Sequence, residues 1–158
     1  MTETVVCYIY DNDKILMIYR NKKENDINHG KYLGIGGHVE KNETPDEAVI
    51  REVKEETNLD LIKFKRRGLV HFIYNGIEEL MHVYEAYEFK GVMSECDEGT
   101  LSWVEKKNLF NLNLWMGDIY FLKPMFETDK SFEFKFYYEN DNLIKYEEVV
   151  WNIKSLLN

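Results

Sequence analysis

The sequence predicts an α/β protein of the α+β kind: a single domain over residues 1–158 in which a mixed β-sheet carries helices on its faces. Three observations point there. β-branched and aromatic runs recur in pairs around short Asn, Asp and Gly turns. One segment opens and closes with strong helix-capping signals. A composition 44% hydrophobic and 15% aromatic over 158 residues is enough to fill one core.

Residues 5–10 and 14–20 read as strands of a hairpin around Asp11-Asn12-Asp13, and 21–30 as a polar loop. The apolar-glycine stretch 32–39 reads as strand, turn, strand, delivering the chain to a helix. Thr44, Pro45 and Glu47 spell a capping box with proline at the first helical position, which starts that helix after Thr44. Asn58 ends it, since asparagine follows glycine in tolerance of the left-handed conformation that closes helices. Between them Ala48, Val49 and Val53 form an apolar stripe for the core. Runs 64–74 and 80–89 flank Asn75-Gly76 as a second hairpin, and 101–104 is a further strand. The apolar run 112–126 is helix-length, with Pro124 near its end. A last hairpin pairs 132–138 with 142–146 around Asn140-Asp141, before a short terminal helix from Glu147. No repeat, linker or low-complexity tract divides the chain.

A formal net charge of −9 argues against a nucleic-acid polymer as partner, whose phosphates demand a basic footprint. A small anion bridged by a divalent cation remains compatible. Cys7 and Cys96 form no C-x-x-C pair and read as small packed hydrophobes in a reducing compartment. The N-terminal apolar run is short and follows Glu3 rather than a basic region, so neither a leader nor a membrane span is expected and the location is cytoplasmic. Gly34-Ile35-Gly36-Gly37 lacks the third glycine of a dinucleotide fingerprint, and no P-loop is present.

The chemistry concentrates on the capped helix. Glu52, Glu55 and Glu56 lie three and four residues apart on one face, where their charges repel unless a cation sits between them. Lys54 points off that face and only Arg51 stands beside it. A solvated acidic face is the commoner explanation of a lone E-x-x-E-E, but it leaves Gly37, Glu43 and Arg51 unaccounted for.

Residues 37–59 match G-x5-E-x7-R-E-U-x-E-E-x-G-U, where U is a bulky aliphatic, at eight of nine fixed positions, with Asn58 in place of the last glycine. In this the chain resembles the Nudix hydrolases, which cleave nucleoside diphosphates linked to another group. The resemblance implies an α/β/α sandwich. It implies Glu52, Glu55, Glu56 and the Gly36 carbonyl as ligands of Mg2+, a hard cation suited to oxygen donors, with Mn2+ as a substitute. Arg51 and Glu43 take the role of orienting the glutamates through a salt bridge, and Glu52 and Glu55 are the candidate bases. Glu98, five residues before Trp103, takes the place of a later acid used for metal or base work; it also reads simply as one acid of the loop 95–98.

Outside that box, GKYLGIGGHVE and LNLWMGDIYFL are similar to the MutT-like subgroup that sanitises oxidised purine nucleoside triphosphates, the 8-oxo-dGTP diphosphatases. Trp115 and Asp118 match base-pocket positions, while Gly117 replaces one acid and Leu33 an asparagine. Trp115 alone is more often a core aromatic than a stacking platform. Tyr32 falls at the border of the base pocket and His38 within reach of a phosphate. The expected partner is a small nucleotide, in a monomer or homodimer. A sugar nucleotide or dinucleoside polyphosphate is the alternative substrate, and a nucleotide-sensing domain without turnover the different-class alternative.

Overall fold

The computed structural model describes residues 1–150. Strands β1 (Thr2–Asp11) and β2 (Lys14–Tyr19) are followed by short strands β3 (Tyr32–Leu33) and β4 (Ile35–His38) and helix α1 (Pro45–Thr57). The long strands β5 (Asp60–Tyr74) and β6 (Ile77–Lys90) come next, then β7 (Thr100–Glu105), a 3-10 turn (Lys106–Asn111), helix α2 (Asp118–Glu127) and the pair β8 (Phe132–Glu139) and β9 (Asn142–Glu148). The spacing argument thus recovers each element among the described residues except the turn at Lys106–Asn111.

The strands form one mixed sheet in the order β3-β2-β1-β6-β5-β8-β9, with β4 also pairing β1 and β7 pairing β2. Its hairpins are antiparallel with two-residue turns: Asp11 faces Lys14, Tyr74 faces Ile77 and Glu139 faces Asn142. Asn12, Asn75 and Asn140 open these turns at φ 55°, 50° and 52°, a conformation asparagine adopts at little cost. Two pairings are parallel, β1 with β6 and β5 with β8.

Alternation along β1 splits the core in two. Val5, Cys7 and Ile9 face one side, where with Leu16, Ile18 and Ile35 they cover Ala48, Val49 and Val53 of α1. Val6 and Tyr8 face the other, where with Met17, Val70, Val83, Phe134 and Phe136 they cover Phe121, Leu122 and Met125 of α2. One helix on each face makes the α/β/α sandwich. Both cysteines are buried and free, and burial pushes the Cys7 thiol far above its usual range, so it is inert packing.

Two expected helices are corrected. The second helix begins at Asp118, not at 112. The backbone before it is engaged elsewhere: the Tyr32 amide donates to the Asn113 carbonyl, and the Asn113 side-chain amide donates to the Gly30 carbonyl. From Glu147 the chain does not turn helical at once, because Glu147 and Glu148 still pair with Lys135 and Phe134 in β9. Val149 continues non-helical, its amide donating to the Glu133 carbonyl, and residues 151–158 of the expected segment lie outside the described residues.

Candidate active site

Helix α1 is fixed by local chemistry before any tertiary contact. The Thr44 hydroxyl accepts from the Glu47 amide at 3.1 Å while the Glu47 carboxylate accepts from the Thr44 amide at 3.1 Å. At the far end Asn58 sits at φ 67°, and its amide closes on the Lys54 carbonyl. The burial of Val49 and Val53 then sets the rotation of the helix and presents Glu52 toward β4. A side chain at Gly37 would place its Cβ 2.5 Å from the Glu52 carboxyl, so only glycine lets that carboxylate lie against the strand backbone.

Arg51 is the hub. Its Nε and Nη2 clamp Glu43 at 2.7 and 2.8 Å, Nη2 also reaches the His38 carbonyl at 2.9 Å, and Nη1 donates to Glu52 at 2.8 Å and Glu55 at 3.2 Å. The two-pronged hydrogen bond from Arg51 holds the Glu43 carboxyl at about 2, far below the carboxylate norm. Glu52 moves the other way, because burial outweighs the help of Arg51, with Glu55 and Glu98 adding repulsion.

Glu56 is buried at 8% exposure, and its Oε2 has no hydrogen-bond partner. Burial first, then a hydrogen bond to Glu98 and the charges of Glu98 and Glu52, raise its carboxyl to about 9. Burial also acts on Glu98, but the bond from Glu56 and the charges of Arg20 and Lys23 override it and leave Glu98 below its ordinary value. Arg20 Nη1 stands 3.4 Å and Lys23 Nζ 3.5 Å from Glu98, while Lys22 ties the Cys96 carbonyl at 2.6 Å. Strands and loops far apart in sequence thus deliver an acid, with its cations, to the buried end of the α1 carboxylate row.

Among the described residues no three acidic, histidine or cysteine side chains stand together as a finished metal cage. Arg51 answers part of the repulsion between Glu52 and Glu55, and burial beside Glu98 favours the protonated form of Glu56. The donors still suit a hard divalent cation: all are carboxylate oxygens, one is buried without a partner, and Glu52 lies against the Gly36-Gly37 backbone.

Of the residues expected around a base, Trp115 lies in the core on the α2 side of the sheet, Tyr32 and Leu33 pack against that core, and His38 does not join them. Trp115 is 4% exposed, its ring surrounded by Phe72, Tyr74 and Tyr138 with centroids 5.0, 6.0 and 4.9 Å away, and its Nε1 donates to Asn28 at 2.8 Å. It is a core aromatic along most of its surface. Tyr32 is half-buried against Tyr19, Leu33 is half-buried between the two cores, and His38 is exposed. The Asp118 carboxyl is pushed up to about 7 by burial, against the opposing charge of Lys31. A Cβ at Gly117 would lie 2.8 Å from the Phe136 ring and the Tyr138 hydroxyl, which itself accepts from the Gly117 amide at 2.7 Å. A side chain at 117 forces Phe136 or Tyr138 to shift. Sequence reasoning missed Arg20, Lys23 and Lys31; the signal available was a cation at each end of the polar loop 21–30.

A sheet between two helices, carrying a capped helix with a row of glutamates clamped by one arginine, defines a phosphoanhydride-directed hydrolase fold. The family model described as NUDIX domain matches residues 2–123, and the chain belongs to that family. It is 29% identical over 128 residues to the oxidized purine nucleoside triphosphate hydrolase of Mus musculus, covering 78% of this chain and 81% of that protein. The Danio rerio protein of the same name is 29% identical over 124 residues, covering 77% and 79%. Among solved structures, a MutT protein from Bacillus halodurans superposes with a TM-score of 0.85 at 24% identity, covering 94% of this chain and 97% of that one. The chain is a MutT-like Nudix hydrolase, an enzyme of phosphoanhydride bonds whose family acts on small-molecule nucleotides and generally requires a divalent metal. Among the described residues no helix is long and apolar enough to cross a membrane.

Proposed function

We propose that this enzyme is a Mg2+-dependent nucleoside triphosphate pyrophosphohydrolase that converts oxidised purine nucleoside triphosphates, of the 8-oxo-dGTP kind, to the monophosphate and pyrophosphate in the cytoplasm. The observation that carries the reading is the buried, partnerless oxygen of Glu56 beside Glu52 and Glu98. Glu52, Glu56 and Glu98 would hold the cation, with the Gly36 carbonyl as a main-chain donor. When bound, a divalent cation neutralises phosphate charge and lowers the pKa of a coordinated water. Arg51 keeps Glu52 aimed at the glycine turn and Glu43 ionised. Glu55 has a 58% exposed side chain with one oxygen on Arg51, leaving the other free to accept a proton from water; Glu52 is the alternative base. His38 and the cations Arg20 and Lys23 border the path of a polyphosphate. The base identity is supported by the mouse and zebrafish relatives and by the Trp115–Asp118 match.

The test is product analysis on a nucleotide panel with Mg2+. Monophosphate and pyrophosphate from 8-oxo-dGTP, at rates well above those on dGTP, support the reading; equal rates on both remove the role in clearing oxidised nucleotides. A second reading keeps the chemistry with a sugar nucleotide or dinucleoside polyphosphate as substrate. The hydrophobic Leu33 and the sterically enforced Gly117 favour it, and it wins if those substrates outrun every triphosphate.

A further inference from the structure

The loop between β2 and β3 carries a chain of polar contacts that reaches the glutamate row from outside it. Glu24, Asn25, Ile27 and His29 of that loop are exposed, while Asp26 and Asn28 turn inward between them. The Asp26 side chain is only 10% exposed, with Oδ2 standing 2.8 Å from Arg20 Nε. Its Oδ1 accepts from the Asn28 backbone amide at 3.1 Å and from the Asn28 side chain at 3.4 Å. Asn28 Oδ1 in turn accepts from Trp115 Nε1 at 2.8 Å, which leaves the amide nitrogen of Asn28 to face Asp26. An acid this buried is costly without such partners. The Arg20 amide on the Lys31 carbonyl and the Gly30 amide on the Arg20 carbonyl close the base of the loop, and Asn113 ties Gly30 from across the fold.

Arg20 joins this loop to the glutamates. Its Nη1 lies 3.4 Å from Glu98 Oε2, so one guanidinium is shared between two acids. Neither contact is a closed hydrogen bond: 3.4 Å exceeds the roughly 2.7–2.9 Å of a charge-assisted bond, and Arg20 Nε and Asp26 Oδ2 are close in space without hydrogen-bond alignment. What links the three groups is charge. Asp26 offsets the guanidinium beside Glu98, the acid that reaches Glu56. Without Asp26, Glu98 is the one acid left to Arg20 among the described residues. The guanidinium then closes on Glu98, and its uncompensated charge opposes any cation brought there.

We infer that Asp26 is a positioning residue for the glutamate site: pinned by Asn28 and through it by Trp115, it holds and neutralises Arg20 so that Glu98 stays open to a divalent cation. Asp26 acts through Arg20 and touches neither cation nor substrate. Groups one step behind a metal ligand set its affinity in this way, by tenfold or more. An ordinary loop ion pair would hold the loop and nothing else; the presence of Glu98 on the same guanidinium is what ties this one to the site. The inference rests on the metal reading above, in which Glu98 joins Glu52 and Glu56.

The experiment measures Mn2+ binding to the nucleotide-free protein by calorimetry, thermal unfolding in chelator, and the Mg2+ dependence of pyrophosphate release. It compares the wild type with Asp26→Asn, Asp26→Glu, Glu98→Gln, Arg20→Met and the double variant Arg20→Met with Asp26→Asn. Asp26→Asn is expected to weaken Mn2+ binding about tenfold and to raise the Mg2+ midpoint of turnover by a similar factor, with a smaller change in kcat at saturating Mg2+. Asp26→Glu, which keeps the charge, recovers part of the affinity. In the Arg20→Met background the loss of the Asp26 charge changes Mn2+ affinity less than about twofold, because its action passes through the guanidinium. Unchanged Mn2+ affinity in Asp26→Asn, or an equal loss in the Arg20→Met background, overturns the inference and leaves a loop ion pair. Should Asp26→Asn fail to fold, Asn28→Ala decides by the same measurements: a loss of about threefold supports the inference and an unchanged affinity overturns it. Glu98→Gln separates the two readings. If it weakens Mn2+ binding while Asp26→Asn does not, the metal site stands and the positioning role fails; if it leaves the affinity unchanged, Glu98 is no ligand and both fall.

Discussion

Replacing Glu56 by glutamine tests the buried carboxylate and the metal reading together. In the metal-free protein the Glu56 carboxyl is raised from 4.5 to about 9, chiefly by burial and then by Glu98. The folded state therefore holds a proton that the unfolded chain releases above pH 4.5, and stability falls as pH rises from 4.5 toward 9. At 1.36 kcal/mol per pH unit, the cost at pH 7 is about 3 kcal/mol. Glutamine keeps the shape and donates to Glu98 without that cost. Glu56→Gln in chelator is expected to unfold roughly 6–12 °C higher than wild type at pH 7, with the advantage vanishing near pH 4. The same substitution removes a metal ligand, so Mg2+ stabilises the wild type more than the variant and turnover drops about a hundredfold or more. The assays are thermal unfolding against pH with chelator or Mg2+, and pyrophosphate release. Matching pH profiles for the two proteins, or retained turnover in the variant, refutes the assignment.

Arg51→Lys loses the two-pronged grip on Glu43 and the reach to the His38 carbonyl, and is expected to weaken Mg2+ affinity ten- to a hundredfold, measured by metal titration of activity. Gly117→Asp, which restores the acid found in similar enzymes, should destabilise the fold by about 1–3 kcal/mol in denaturant unfolding, because the new side chain meets Phe136 and Tyr138. Asn58→Ala should cost about 1–2 kcal/mol through the left-handed cap, while Asn58→Gly stays within about 1 kcal/mol of wild type after losing the bond to Val92. The two are compared by chemical denaturation.

Where structure departs from sequence expectation, the reasons are specific. The run 112–126 has helical composition throughout, yet its first half is spent bonding Tyr32 and Gly30 across the fold, and the helix waits for Asp118. Trp115 matches a base-pocket position, but three aromatic neighbours and Lys31 enclose it. The repulsion among Glu52, Glu55 and Glu56 pointed to a metal; in the fold Arg51 also bonds Glu52 and Glu55, and burial beside Glu98 favours the protonated form of Glu56.

By itself the sequence determined helix α1, its capping, the direction of its glutamates and the three asparagine-led hairpins, because those depend on contacts within a few residues and on backbone preferences that a side chain carries with it. Only the tertiary structure decided that β1 runs parallel to β6 and β5 to β8, that Glu98 meets Glu56, and that Lys31 is buried over Trp115. Those partners are separated by tens of residues. Their meeting is set by how two apolar faces of one sheet are covered at once, a property of the whole chain and of no segment within it.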